Sequence, residues 1–210
     1  MEKFSSAIHK AILMVDIEGF SDPCRNQVNH VRLRASLYEI LREAFQDKWD
    51  ECWWEGTGDG ALVLIPPAIP KLWLVDDVIN TIAALLCRHN DAHSRAEKMR
   101  LRAVLHAGEV IFDEIGATSP GIILAARLLD AEPIRETLAE SSEVLAWITS
   151  AWFFDEVVRH SERTDPSRFR KVEVTAKETS TTAWVSLPAR IGGTSLGPNA
   201  EMQHKATLWG

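Results

Sequence analysis

No stretch of the 210 residues approaches the roughly 20 consecutive apolar positions that a membrane-spanning helix needs. The opening Met1-Glu2-Lys3-Phe4-Ser5-Ser6 also lacks the long apolar segment and cleavage site of a secretory signal. Cysteine is scarce: Cys24, Cys52 and Cys87 form an odd, scattered set without CxxC spacing. Free thiols in a reducing compartment are therefore expected. No basic block offsets the net charge of −7, which argues against a general nucleic-acid binder. There is no internal repeat, no Walker-type lysine loop, and no Ser/His/Asp or Cys/His nucleophile arrangement. These absences point to a soluble cytoplasmic protein with neither a membrane nor a nucleic-acid partner.

What is present is enough apolar residue, 46% of the chain, for a core that needs no disulfide or structural metal. The length suits one domain, expected over residues 1–188, followed by a flexible tail over 189–210 rich in Gly, Pro, Ser and Asn. Two short stretches stand out. Ala11-Ile12-Leu13-Met14-Val15 runs into Asp16-Ile17-Glu18-Gly19-Phe20, and Gly56-Thr57-Gly58-Asp59-Gly60 runs into Ala61-Leu62-Val63-Leu64-Ile65. Each sets an aspartate where a continuous apolar run, the mark of a buried strand, meets a small-residue turn. Two carboxylates presented this way can hold a divalent metal against a triphosphate. Read singly, Asp16 is equally a strand-end cap and Asp59 an ordinary turn residue.

Between these motifs helices and strands alternate. Leu37, Ile40, Leu41, Ala44 and Phe45 fall on one face of a helix predicted from about Gln27 to Asp47. Glu51 to Trp54 and Ala61 to Ile65 read as a hairpin with Asp59 at its tip. Val75, Val78, Ile79, Ile82, Leu85 and Leu86 mark a second helix after Pro70. A strand follows from Met99 to His106, with Leu101, Ala103 and Leu105 alternating against Arg100, Arg102 and Val104. A helix then runs from Pro120-Gly121 to Leu129, a strand over Val144 to Thr149 and a short helix over Trp152 to Val158. Phe169–Ala176 and Thr182–Leu187 read as a terminal hairpin. The class is mixed α/β (α+β).

In this order, the motifs resemble the catalytic domain of class III adenylate/guanylate cyclases, from about Ala11 to Leu187. Asp16-Ile17-Glu18-Gly19-Phe20-Ser21 resembles the family's opening motif and Thr57-Gly58-Asp59-Gly60 its central turn. His106-Ala107-Gly108-Glu109-Val110 resembles its strand end, and Ala125-Ala126-Arg127-Leu128 its arginine helix. Ala176-Lys177 falls where the family carries a lysine on its last hairpin. The resemblance implies a ferredoxin-like βαββαβ core with helices on one side and a terminal β-hairpin. It also implies head-to-tail homodimers that build their sites at the interface.

Cyclisation of a nucleoside triphosphate by the ribose 3′-hydroxyl asks a protein for positioning and charge stabilisation. By resemblance, Asp16, Asp59 and the carbonyl of Ile17 would hold two Mg²⁺ or Mn²⁺ ions, which favour hard oxygen donors, for two-metal catalysis. Backbone N–H groups after Gly19 and Phe20, ahead of a helix, would hold phosphates. Glu55 occupies the base-facing position and favours guanine, because a carboxylate accepts from its N1–H and amine but repels the acceptor N1 of adenine. A solvated hairpin glutamate is the alternative there. The second base-selecting position falls near Gly116. Arg127 would stabilise charge at the α-phosphate across the interface, and Lys177 would meet the phosphates. Their alternatives are a surface ion pair and a solvated strand face shared with Lys171, Glu173 and Thr175.

One departure is plain. Four residues before Arg127, where the family carries a ribose-orienting asparagine, stands Ile123. Losing such a contact costs on the order of 10²-fold in rate. Either turnover is slow, or another side chain substitutes, or the domain binds metal–nucleotide or a partner without turnover. Pyrimidine cyclases of bacterial defence systems share the scaffold and form a further alternative. His89 and His93 are spaced i, i+4 but lack a third ligand, so a polar helix end is expected rather than zinc. Trp53 or Trp54 is positioned to stack on a base or line the dimer seam.

Overall fold

The computed structural model describes residues 6–188. The first five residues and the tail expected from residue 189 lie outside them. The elements run β1 (Ile8–Ile17), α1 (Gln27–Phe45), β2 (Trp53–Gly56), β3 (Gly60–Ile65), α2 (Lys71–Trp73), α3 (Ile79–Ala92), β4 (Leu101–Phe112), β5 (Ala117–Thr118), α4 (Pro120–Leu129), α5 (Glu132–Ala139), β6 (Leu145–Ser150), α6 (Ala151–Glu156), β7 (Arg170–Ala176) and β8 (Thr179–Ser186). The sheet has the order β2-β3-β1-β4-β6-β8-β7, with β5 paired to β4. Only β4 and β6 run parallel; the other neighbours are antiparallel.

Because β1 and β4 are the two middle strands, both faces of each are buried. Leu13, Val15, Ala103 and Leu105 point to one side, where they meet α1, α3 and α6 through Leu37, Leu41, Ile82, Leu86, Phe153 and Phe154. Ile12, Met14 and Val104 point to the other, under α4 and α5, with Leu128, Ile134 and Leu138. Helices therefore cover both faces, and the one-sided packing expected from the sequence is incomplete. Two elements were overlooked in the sequence: the two-residue β5, and α5, whose buried face consists of Ile134 and Leu138 alone. Two apolar positions are too few for a helical period to emerge.

The helices begin where their caps dictate. The Asn26 side chain accepts from the N–H groups of Val28 and Asn29, and Asn29 returns a bond to the Asn26 backbone. The helix stops at Phe45 because Gln46 adopts φ +54°, and a 3₁₀ segment over Gln46–Glu51 leads to β2. Ser119 caps α4 by accepting from Gly121 N–H at 2.9 Å and donates to the Glu109 carbonyl at 2.6 Å, with Pro120 in the first turn. A π-turn over Leu74–Val78 joins α2 to α3 and buries Asp76, which takes hydroxyl bonds from Ser161 at 2.5 Å and Thr164 at 2.9 Å.

The β2–β3 hairpin is fixed to β1 and α1. Gly60 lies opposite Asp16 in the β1–β3 register, and its carbonyl accepts from the Tyr38 hydroxyl at 3.2 Å. A Cβ on Gly60 would lie 2.0 Å from the Val15 carbonyl oxygen, so no larger residue fits unless the backbone moves. Gly58, with φ +92°, faces open space. Gly60→Ala is therefore expected to destabilise the fold by about 3 kcal/mol through overpacking. Gly58→Ala should cost about 1 kcal/mol, from backbone strain alone. Urea unfolding of both variants checks this, and equal costs would show that the close approach is dispensable.

Candidate active site

Asp16 ends the inner strand β1 on the face covered by α4, in register with Arg102 on β4 and Gly60 on β3. Its carboxylate accepts two bonds from the Arg102 fork: Nε to Oδ1 at 3.0 Å and Nη2 to Oδ2 at 2.6 Å. Both side chains are largely buried, at 15% and 14% exposure. Asp59 is exposed in the turn ahead of β3, and its carbonyl accepts from Ile17 N–H at 3.1 Å, which draws the turn against the end of β1. The two aspartates predicted to act together thus come from segments that are hydrogen-bonded to each other.

The electrostatics of the cluster are unbalanced. Burial pushes the Asp16 carboxyl up to about 6, although the Arg102 charge and hydrogen bonds pull it down. Asp59 and Asp130, the latter at the end of α4, push it up further. One guanidinium therefore does not offset the cost of keeping the buried Asp16 carboxylate ionised. Hard oxygen donors with unneutralised negative charge suit Mg²⁺ or Mn²⁺, so these residues fit a divalent cation. Among the described residues no group of three or more His, Cys, Asp or Glu side chains is placed to hold a metal. Such a cation would rest on the two aspartates and the main chain. The Ile17 carbonyl accepts from Phe20 N–H at 3.3 Å, a long bond that leaves a lone pair available.

The segment after Asp16 differs from expectation. Gly19 turns with φ +62°, and Phe20 stacks on His30 at 4.4 Å. Helix α1 starts only at Gln27, and the Asn26 side chain already occupies two N–H groups of its first turn. Gly19 and Phe20 therefore lie in a loop and not at a helix N-terminus. Arg25 ties that loop down by donating to the carbonyls of Gly19 and Lys98, each at 2.8 Å. Glu18 pairs with Arg100 at 3.0 Å.

Glu55 is exposed on β2, beside Gly116: a Cβ built on that glycine would lie 3.9 Å from Glu55 Oε2. The structure thus brings together the two positions named as base-facing. Trp54, next in sequence, is 42% exposed and leans on Tyr38 and Trp49.

Arg127 and Lys177 form a second group. Arg127 lies in the last turn of α4, and its Nη2 approaches Glu178 Oε1 at 3.4 Å. Lys177 and Glu178 form the two-residue turn between β7 and β8, where Lys177 takes φ +54°. Lys177 therefore leaves the strand alternation that grouped it with Lys171, Glu173 and Thr175. Among the described residues no ion pair or hydrogen bond joins this group to Asp16 or Asp59. Ile123, one turn before Arg127 on α4, is 52% exposed.

The two residues missed from the sequence are Arg102 and Glu178, the partners of Asp16 and Arg127. A signal for Arg102 existed in the alternation of β4, since an arginine on a buried strand demands a counter-ion.

Three solved structures of similar shape decide the fold. The adenylate/guanylate cyclase/hydrolase from Silicibacter pomeroyi has a TM-score of 0.63 and 19% identity, over 87% of this chain and 98% of that one. The fold is that of a class III nucleotidyl cyclase catalytic domain. The catalytic core of a rhodopsin-guanylyl cyclase with converted specificity, in complex with ATPαS, matches 89% of this chain and 99% of its own, with TM-score 0.57 and 13% identity. The guanylate cyclase domain of RhGC from Catenaria anguillulae, in complex with GTP, matches 90% of this chain and all of its own, with TM-score 0.55 and 14% identity. No family model matches the chain. No curated protein matches it either.

Within this cyclase fold the histidines play other parts. His89 and His93 stack at 3.9 Å near the end of α3, where His89 bonds the Glu97 carbonyl and His93 the His89 carbonyl. His106 is buried on β4, 2.7 Å from the Ser150 hydroxyl that caps α6. Burial, followed by the nearby His9, pushes its pKa from 6.5 down to about 4. The unfolded chain takes up this proton near pH 6.5 and the native chain does not, so stability is lost as pH falls from 6.5 towards 4. A loss on the order of 3 kcal/mol is expected. Urea unfolding between about pH 7.5 and 4 should show a shallower decline for His106→Gln than for wild type. Parallel declines would mean that His106 titrates normally.

Proposed function

We propose that the chain is a metal-dependent nucleotidyl cyclase domain that acts on a nucleoside triphosphate, with guanine as the preferred base. Its products would be a 3′,5′-cyclic nucleotide and pyrophosphate, formed at the interface of a homodimer. The observation that carries this reading is the meeting of Asp16, at the end of β1, with the Asp59 turn in a cyclase fold. Neighbours of that fold have been solved with GTP and with ATPαS.

In the reaction the ribose 3′-oxygen loses its proton and bonds to the α-phosphorus, and the bond to pyrophosphate breaks. Two divalent cations held by Asp16, Asp59 and the Ile17 carbonyl would supply Lewis acidity to the attacking and leaving oxygens. Glu55 accepts from the N1–H and amine of guanine, and Gly116 beside it leaves room for the ring. Arg127 from a second copy places a fixed guanidinium fork at the α-phosphate, with Lys177 from the neighbouring turn at the phosphates. A triphosphate oxygen must displace Glu178 from Arg127, and their 3.4 Å exposed contact is weak enough to allow it.

A second reading, nucleotide binding without turnover, is favoured by Ile123, whose exposed side chain cannot hydrogen-bond a ribose. Incubating the protein with each of the four nucleoside triphosphates and Mn²⁺, with mass spectrometry of the products, separates the two. A cyclic product is expected from GTP, reduced about 10²–10³-fold in Asp16→Ala and Asp59→Ala. Nucleotide-dependent thermal stabilisation with no product would favour binding alone. A product from UTP or CTP would move the substrate to the pyrimidines. Glu55→Lys is expected to shift preference towards ATP, and Ile123→Asn to raise turnover by up to about 10²-fold.

A further inference from the structure

Before any cation reaches it, Asp16 has both carboxylate oxygens engaged by one guanidinium. The pairing is built into the sheet: Asp16 and Arg102 are direct cross-strand neighbours on two inner strands, so neither backbone can withdraw. Both side chains are about one-seventh exposed, and the fork geometry takes the oxygen lone pairs that face Arg102. Among the described residues Arg102 is the one cation paired with Asp16; the neighbouring Arg100 is held by Glu18 and by carbonyls at the end of α5. A guanidinium is charged at every accessible pH, so the positive charge opposite Asp16 is permanent. A divalent ion ligated by the same carboxylate would share it with this like charge in a partly buried site.

Resting on the reading of Asp16 as a metal ligand, we propose that Arg102 is a positioning residue that competes with divalent metal for the Asp16 carboxylate. In the metal-free chain Arg102 keeps Asp16 oriented towards β4. Metal binding is then an exchange in which Asp16 gives up at least one of its two bonds to the fork. Metal affinity is set by that exchange as well as by the ligands themselves. A purely structural ion pair behaves differently: removing it lowers stability and leaves Asp16 misplaced, so metal binding weakens or stays the same.

Mn²⁺ binding to the full chain distinguishes these cases. Electron paramagnetic resonance of free Mn²⁺, at about pH 8, gives a Kd for wild type, Arg102→Gln, Arg102→Lys and Asp16→Asn, with circular dichroism melts establishing that each is folded. Arg102→Gln is expected to bind Mn²⁺ about tenfold more tightly than wild type, the effect of removing one like charge from a partly buried site. Arg102→Lys keeps a charge without the fork and should fall between them. Asp16→Asn should lose the site. A folded Arg102→Gln whose Kd equals or exceeds that of wild type overturns the proposal, while wild-type binding lost in Asp16→Asn still supports the metal site. If Arg102→Gln does not fold, Arg102→Lys decides in the same way. Absence of Mn²⁺ binding in every variant instead overturns the reading of Asp16 as a ligand, and the competition with it.

Discussion

The pair of Asp16 and Arg102 is the constraint on which the site depends. A carboxylate on an inner strand, under a helix, is costly to keep ionised, and among the described residues its paired cation comes from the adjacent strand. The β1–β4 register therefore fixes the chemistry as well as the sheet. A one-residue slip would turn Asp16 towards the α1 side and set it against Leu37, Leu41 and Leu105. The hairpin that carries Asp59 and Glu55 is referenced to the same strand through Gly60, and to α1 through Tyr38. The residues proposed to face the metal and the base thus share one frame of reference, the end of β1.

Three charges in and beside the site are internally paired. Asp16 is matched by Arg102, Glu18 by Arg100 and Arg127 by Glu178. The pairs differ in strength for a physical reason. Asp16–Arg102 is short, bidentate and buried, whereas Arg127–Glu178 is long, single and exposed at its acidic end. Water screens the second pair and hardly reaches the first. Of the two pairs, the arginine of the second is easily released and the aspartate of the first is not.

Much of this was legible along the chain. The apolar run into Asp16, the glycine turn around Asp59 and the helix ending at Leu129 are local signals, and they appear within a residue or two of their expected positions. Three features were not legible. Arg102 could be read as needing a counter-ion, but that the partner is Asp16, 86 residues away, depends on register, which no local pattern encodes. Lys177 continues the alternation of β7 in sequence, but the chain turns there and the backbone leaves the strand. The start of α1 at Gln27 was expected, but the Asn26–Asn29 capping pair that sets it, and leaves Gly19 and Phe20 short of the helix, was not. Ile123 was legible as a departure, and the structure adds that its side chain faces outward.

The two edges of the sheet also bear on how the molecule behaves in solution. One edge is β2, only four residues long and followed at once by a glycine turn. The other is β7, which alternates buried Val172 and Val174 with exposed Lys171, Glu173 and Thr175. A short strand and a charged strand are both poor templates for another chain's backbone. Concentrated protein is thereby discouraged from open-ended strand-to-strand stacking. Self-association is left to side-chain surfaces, which can close into a discrete assembly.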